Sequence, residues 1–128
     1  MRKLLLGCAL GVIGVSGIAC RGGATEIFCT AEFRYGMTIY VRDSVSGADL
    51  AAGSTVVVRD GSFVDSLTTP FPASGSTGGT FASAGERAGT YTVTVRRAGY
   101  QTWTKSGVVV TGGVCHVNHT DVIARLQP

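Results

Sequence analysis

The chain has 128 residues, enough for one domain, and combines 45 % hydrophobic with only 15 % charged residues. This apolar content excludes a disordered chain, and the frequent Gly residues favour turns and strands over helices. With Arg2 and Lys3 set aside, nine basic residues stand against eight acidic ones and are scattered along the chain. We therefore expect no nucleic-acid partner.

The first 19 residues have the three parts of a secretory signal peptide. Arg2 and Lys3 form a positive start, residues 4–15 form an uncharged apolar stretch, and small residues follow up to Ala19. The apolar stretch is too short to span a membrane, which needs about 20 such residues. We predict a signal-peptide helix over residues 1–19, ahead of the folded domain.

Residues 17–20 (GIAC) resemble a bacterial lipobox, whose Cys becomes the lipidated N-terminus of the mature protein. On this interpretation Cys20 carries the lipid, residues 20–28 form a tether, and the anchor makes the membrane a partner. The protein would be a cell-envelope lipoprotein, periplasmic or anchored in the outer membrane. Gly17 stands where the motif usually has a large aliphatic residue. Cleavage by an ordinary signal peptidase after Ala19 or Ala24 would instead give a secreted protein.

Four cysteines occur, two of them within the first 20 residues. The remaining pair, Cys29 and Cys115, is predicted to form a disulfide, because an even pair in an exported protein is typical of one. The alternative is a metal site of Cys115, His116 and His119. On a strand, however, His116 and His119 point to opposite faces. We predict no metal and no cofactor.

Period-two alternation of apolar residues predicts a series of short strands and no helix after residue 25. The clearest strand is 89–96, in which Tyr91, Val93 and Val95 share one face. The sequence Asp-Gly at residues 60–61 predicts a hairpin, and residues 68–79 are predicted to be a loop. The predicted strands are 36–43, 54–59, 62–67, 80–83 as a short edge strand, 89–96, 100–104, 107–111 and one after residue 113.

The last strand changes phase along its length. Val117 has the opposite parity to Val122 and Leu126, so we predict a bulge or strand break between residues 118 and 121. Short strands separated by turns indicate an all-β fold. We predict a single immunoglobulin- or prealbumin-like β-sandwich of about seven antiparallel strands over residues 29–128.

Two groups of residues carry a family resemblance. The first is VRD at 41–43, followed by SG at 46–47 and VVV at 56–58; the second is GTYTVTV at 89–95, followed by AGY at 98–100. This order is similar to the carboxypeptidase regulatory-like domain, also described as transthyretin-like or prealbumin-like. The resemblance covers residues 36–111. It implies a sandwich with an accessory or binding role, because in metallocarboxypeptidases this domain holds none of the catalytic groups.

A relative of the same fold hydrolyses 5-hydroxyisourate, using several His residues, an Arg and a C-terminal Tyr-Arg-Gly-Ser tail. This chain has two His residues and ends ARLQP, so we predict that it is not an enzyme. We predict a non-catalytic module with a structural role or with an envelope protein or glycan as partner.

Two residues are candidate ligand contacts. Phe71 lies between two prolines in the predicted loop. Trp103 is expected to face outward because it lies three residues after Tyr100, whose ring should turn inward; the alternative is a half-buried ring on the neighbouring strand.

Overall fold

Eight strands make up most of the computed structural model, which describes residues 25–73 and 78–128. The predicted signal peptide over residues 1–19 and the predicted lipidation site Cys20 lie outside the described residues. The strands are β1 (Tyr35–Asp43), β2 (Ser54–Asp60), β3 (Phe63–Leu67), β4 (Phe71–Pro72), β5 (Gly79–Gly85), β6 (Gly89–Arg97), β7 (Trp103–Val110) and β8 (Thr120–Leu126). Within the described ranges, no helix is long and apolar enough to cross a membrane.

The strands form two packed sheets of four strands each. The first sheet has the order β4-β5-β1-β8 and the second has the order β3-β2-β6-β7. The predicted all-β sandwich is therefore confirmed. It has eight strands rather than about seven, because β4, inside the predicted loop, pairs with the start of β5.

One strand pair is parallel, whereas the prediction had only antiparallel strands. β1 and β8 run side by side in the same direction, from Met37 beside Thr120 to Asp43 beside Leu126. Parallel neighbours need a long connection between them. The whole of β2 to β7 supplies that connection here, and sequence alternation carries no information about pairing over such a distance.

The core consists of alternate residues from both sheets, as the alternation predicts. Its fully buried side chains include Met37, Ile39 and Val41 of β1, and Tyr91, Val93 and Val95 of β6. Burying one such apolar side chain contributes about 1.5–3 kcal/mol relative to leaving it exposed. The polar end of Tyr91 is also satisfied, because its hydroxyl donates to the backbone oxygen of Arg87 at 2.7 Å.

β5 is an interior strand, not the edge strand predicted at residues 80–83. It lies between β4 and β1, and the side chain of Phe81 is buried in the core. Small residues surround Phe81 in the sequence, so the apolar alternation is too weak to indicate a central position. Ser83 of the same strand is also buried, and its hydroxyl donates to Asp65 Oδ2 of the second sheet at 2.7 Å.

β7 combines two segments that were predicted as separate strands. Gly107 has a φ of 70°, and the register with β6 shifts beside it, which marks a β-bulge. Trp103 pairs with the buried Val95, so its ring lies on the inner side and packs against the core. The predicted outward orientation of Trp103 is therefore wrong. Tyr100 lies in the turn before β7, so strand alternation cannot be counted from it.

The predicted break ahead of the last strand is confirmed. Val117 packs against the core from a loop, where it bridges to Gly112, and β8 begins only at Thr120. The break changes the parity of the chain, so Val122 and Leu126 also face the core.

Asp43, at the end of β1, organises a corner of the sandwich. Its Oδ1 accepts the backbone N–H groups of Ser46 and Val45 at 2.8 and 2.7 Å, and its Oδ2 accepts the Tyr100 hydroxyl at 2.7 Å. These bonds favour the charged carboxylate and lower the pKa of Asp43 from 3.8 to about 2, and the bond from the Ser46 N–H has the largest effect. The Tyr100 ring packs against the core, as predicted, and its bond to Asp43 raises the pKa of its hydroxyl.

Candidate functional site

A disulfide joins the N-terminal segment to the sandwich. Cys29 and Cys115 are bonded, with their Cα atoms 5.2 Å apart, so the predicted pairing is confirmed. Cys29 precedes β1, and Cys115 lies in the loop between β7 and β8. A disulfide is compatible with an extracytoplasmic location, because such bonds persist in oxidising compartments.

Glu86 forms hydrogen bonds that hold the residues after Cys29 against the sandwich. Its Oε1 accepts the backbone N–H of Arg34 at 2.8 Å and lies 2.7 Å from His116 Nδ1. On the other side of the imidazole, Nε2 lies 3.3 Å from the Thr30 hydroxyl. Burial acts to raise the pKa of Glu86, but the bonds from Arg34 and His116 outweigh it and lower the pKa. These contacts hold residues 30–34 against the sandwich.

The alternative metal site is contradicted by the same arrangement. The sulfur of Cys115 is in the disulfide, and His119 Nε2 is paired with Asp121 Oδ1 at 3.0 Å. Among the residues that the structure describes, no three His, Cys, Asp or Glu side chains converge in a way that could hold a metal ion.

The two predicted ligand contacts, Trp103 and Phe71, lie in different surroundings. Trp103 is half-buried on the second sheet, whereas Phe71 of β4 is 50 % exposed at the edge of the first sheet. The ring centroid of Phe71 lies 6.1 Å from that of Tyr35, and Phe33 packs edge-on against Tyr35 at 5.2 Å. Phe33 and Tyr35 are 62 % and 42 % exposed. We call Phe33, Tyr35 and Phe71 the aromatic patch.

Tyr35 reaches the outer surface because the alternation of β1 is interrupted next to it. Gly36 and Met37 are both buried, and a Cβ on Gly36 would lie 2.5 Å from Cγ1 of the core residue Val110. On the neighbouring strand, Ala84 has a φ of 55°, in the left-handed region that non-glycine residues seldom adopt. Two consecutive inward positions leave the preceding residue, Tyr35, on the outer face.

A row of side chains continues from the aromatic patch across the outer face of the first sheet. Phe71 pairs with Thr80, the register of β5 with β1 places Thr80 beside Tyr40, and Tyr40 pairs with Ile123. Ile123 is 52 % exposed. Paired residues on neighbouring strands project to the same face, so three strand spacings give the row a span of about 14 Å. The aromatic patch and this row together are called the platform below.

Sequence reasoning found Phe71 but missed the rest of the platform. Ile123 had a visible signal, because it is a large apolar residue of opposite parity to Val122 and Leu126. Tyr35 had none, since it lies one residue ahead of the predicted strand. Tyr40 alternates with core residues, but so do many strand residues that only face solvent, so its position in the sequence does not mark it as part of a site. Only the pairing of β1 with β8 shows that it lies beside Ile123.

The chain matches no family model and no curated protein.

Proposed function

We propose that this protein is a non-catalytic binding module of the bacterial cell envelope, and that its platform contacts a glycan. The observation that carries the proposal is the aromatic patch of three exposed rings at one edge of the first sheet, with the exposed Ile123 on the outer face of the same sheet. A cluster of exposed aromatic rings on a small domain is typical of a contact surface.

A glycan fits this surface by its chemistry. Sugar rings have apolar C–H faces, which pack on aromatic rings, and hydroxyl groups at their rims, which need hydrogen-bonding partners. Phe71 and Tyr35 supply exposed rings, while Thr80 and Tyr40 supply hydroxyl groups within the same row. Aromatic residues with a polar end are well suited to such mixed contacts.

The anchor and the family are parts of the same proposal. A lipid on Cys20, with a tether over residues 20–28, would bring the chain to the membrane and place the platform near it, because Phe33 follows Cys29 by only four residues. A carboxypeptidase regulatory-like domain is supported by the bond between Asp43 and Tyr100, since these residues belong to the two sequence groups that carry the resemblance. Such a domain would act as an accessory or adhesive module.

A glycan array probed with the purified full chain tests the binding function. We expect Phe71→Ala to weaken binding about five- to tenfold, because a half-exposed ring that becomes buried contributes roughly 1–1.5 kcal/mol. Trp103→Ala is the matched control and should leave the affinity unchanged once its fold is verified by circular dichroism. Unchanged binding by Phe71→Ala, or capture of a protein partner with no glycan bound, would refute the glycan platform.

Mass spectrometry of the mature N-terminus tests the anchor separately. A lipid-modified Cys20 is expected. An unmodified chain beginning at Thr25 would refute the anchor and favour a secreted carbohydrate-binding module.

A further inference from the structure

A cavity of about 510 Å³ lies at the β8 end of the platform. Small-ligand sites usually have volumes of about 300–1,000 Å³, so the cavity is of a size to take a ligand. It shares Tyr40 and Ile123 with the row described above, so the two surfaces are continuous. The lining residues are Tyr40, Arg42, Gly47, Asp121, Ile123 and Arg125.

One end of the cavity is positively charged. Arg42 and Arg125 pair across β1 and β8, so their side chains project from neighbouring strands on the same face. Arg42 Nη1 lies 3.3 Å from Asp49 Oδ2, whereas the guanidinium of Arg125 has no hydrogen bond or ion pair with any residue in the described ranges. Two guanidinium groups thus stand against one carboxylate, and Arg125 can bind an anion with its full set of donors.

The other end of the cavity has the opposite polarity. Asp121 lies four residues before Arg125 on β8, a separation of about 13 Å along the strand. Its Oδ1 faces His119 Nε2 at 3.0 Å, which leaves its second oxygen without a positive partner among the described residues. An anionic group is therefore attracted to the Arg125 end and repelled from the Asp121 end, so the ligand has one favoured orientation.

We infer that the cavity binds a uronate residue of an acidic polysaccharide. The sugar carboxylate would pair with the guanidinium of Arg125, a geometry in which two parallel hydrogen bonds form. Its ring would lie on Tyr40 and Ile123, and the chain would continue along the row toward Phe71. An apolar wall beside one unpaired guanidinium group suits a ring that bears a carboxylate better than a small free anion. This inference rests on the proposed glycan function and names the class of glycan.

The test compares polygalacturonate with the same polymer after its carboxyl groups have been reduced to alcohols. Titration calorimetry of the full chain is expected to show binding of the acidic polymer, weakened by added salt, and markedly weaker binding of the neutral one. Arg125→Ala should lower affinity for the acidic polymer about tenfold or more, because a charge-assisted hydrogen-bonded pair is lost. Arg125→Lys should recover only part of this, since it keeps the charge without the paired donors.

Arg96→Ala is the matched control. Arg96 is an exposed arginine on β6 of the second sheet whose guanidinium also has no partner among the described residues, and its loss should not change the affinity. Equal binding of both polymers, lost in Phe71→Ala but kept in Arg125→Ala, would overturn the acidic ligand and leave the glycan function standing. Failure to bind either polymer would overturn this inference, while the glycan array decides the proposed function independently. Tighter binding of poly(glycerol phosphate) would overturn the choice of a carboxylate.

Discussion

Removing the disulfide between Cys29 and Cys115 is expected to lower the free energy of unfolding by about 2–4 kcal/mol. The two residues are 86 positions apart, and the chain-entropy relation for such a loop gives about 4.6 kcal/mol at 25 °C. Part of this is not realised, because both cysteines lie outside the strands. Without the bond, residues 25–33 and the loop around Cys115 gain freedom in the folded state as well as in the unfolded one.

Thermal and urea unfolding of the wild type and of the Cys29→Ser/Cys115→Ser variant measure this loss. A loss of about 3 kcal/mol in a domain of this size lowers the thermal midpoint by roughly 12–24 °C. The wild type in excess reductant is the matched control and should coincide with the double variant. The reasoning would be refuted by a loss below about 1 kcal/mol, provided that Cys29 and Cys115 of the wild type alkylate only after reduction, which shows that the disulfide was formed. Such a small loss would show that contacts such as the Arg34–Glu86 bond already close the loop.

The other predictions concern Asp43 and Phe81. The pKa of Asp43 is depressed to about 2 in the folded chain, so its stabilisation is fully present above about pH 4 and is lost as the pH falls through 2. The unfolding midpoint of the wild type should fall over this window more than that of Asp43→Asn, and parallel pH profiles would contradict the assignment. Phe81→Ala should cost about 3–5 kcal/mol because it empties an interior position. Val64→Ala, at a 45 % exposed site on the edge strand β3, should stay within about 0.5 kcal/mol, and similar values for both variants would argue against a central β5.

Features that depend on neighbouring residues could be predicted from the sequence. The alternation in β1 and β6 identifies the buried faces because successive side chains of a strand point to opposite faces of the sheet. The phase change before Val122 identifies the break ahead of β8 for the same reason. The pairing of Cys29 with Cys115 followed from counting, since the other two cysteines fall within the predicted signal peptide and at the predicted lipidation site.

Features that depend on distant pairing could not be predicted. Phe81 lies in a strand with little apolar pattern, so its burial is decided by β1 and β4 on either side of it. The inward orientation of Trp103 follows from its pairing with Val95. It cannot be counted from Tyr100, which lies in a turn, or from Val108, because the bulge at Gly107 interrupts the alternation, and nothing local indicates where a Gly will be a bulge rather than a turn. The platform is of the same kind, because Phe71 and Ile123 share a face only through the register of four strands.

The position of the disulfide also determines how the domain would carry a mechanical load. A pull on the N-terminal segment reaches Cys29 before it reaches any strand, and the covalent bond passes the force directly to Cys115. When the opposing force acts beyond Cys115, residues 30–114 are bypassed. β1 to β7 all lie inside that shielded loop, and only β8 remains in the force path. Tension along the chain can therefore extract at most the last strand, and the other seven cannot be stretched out until the bond is reduced.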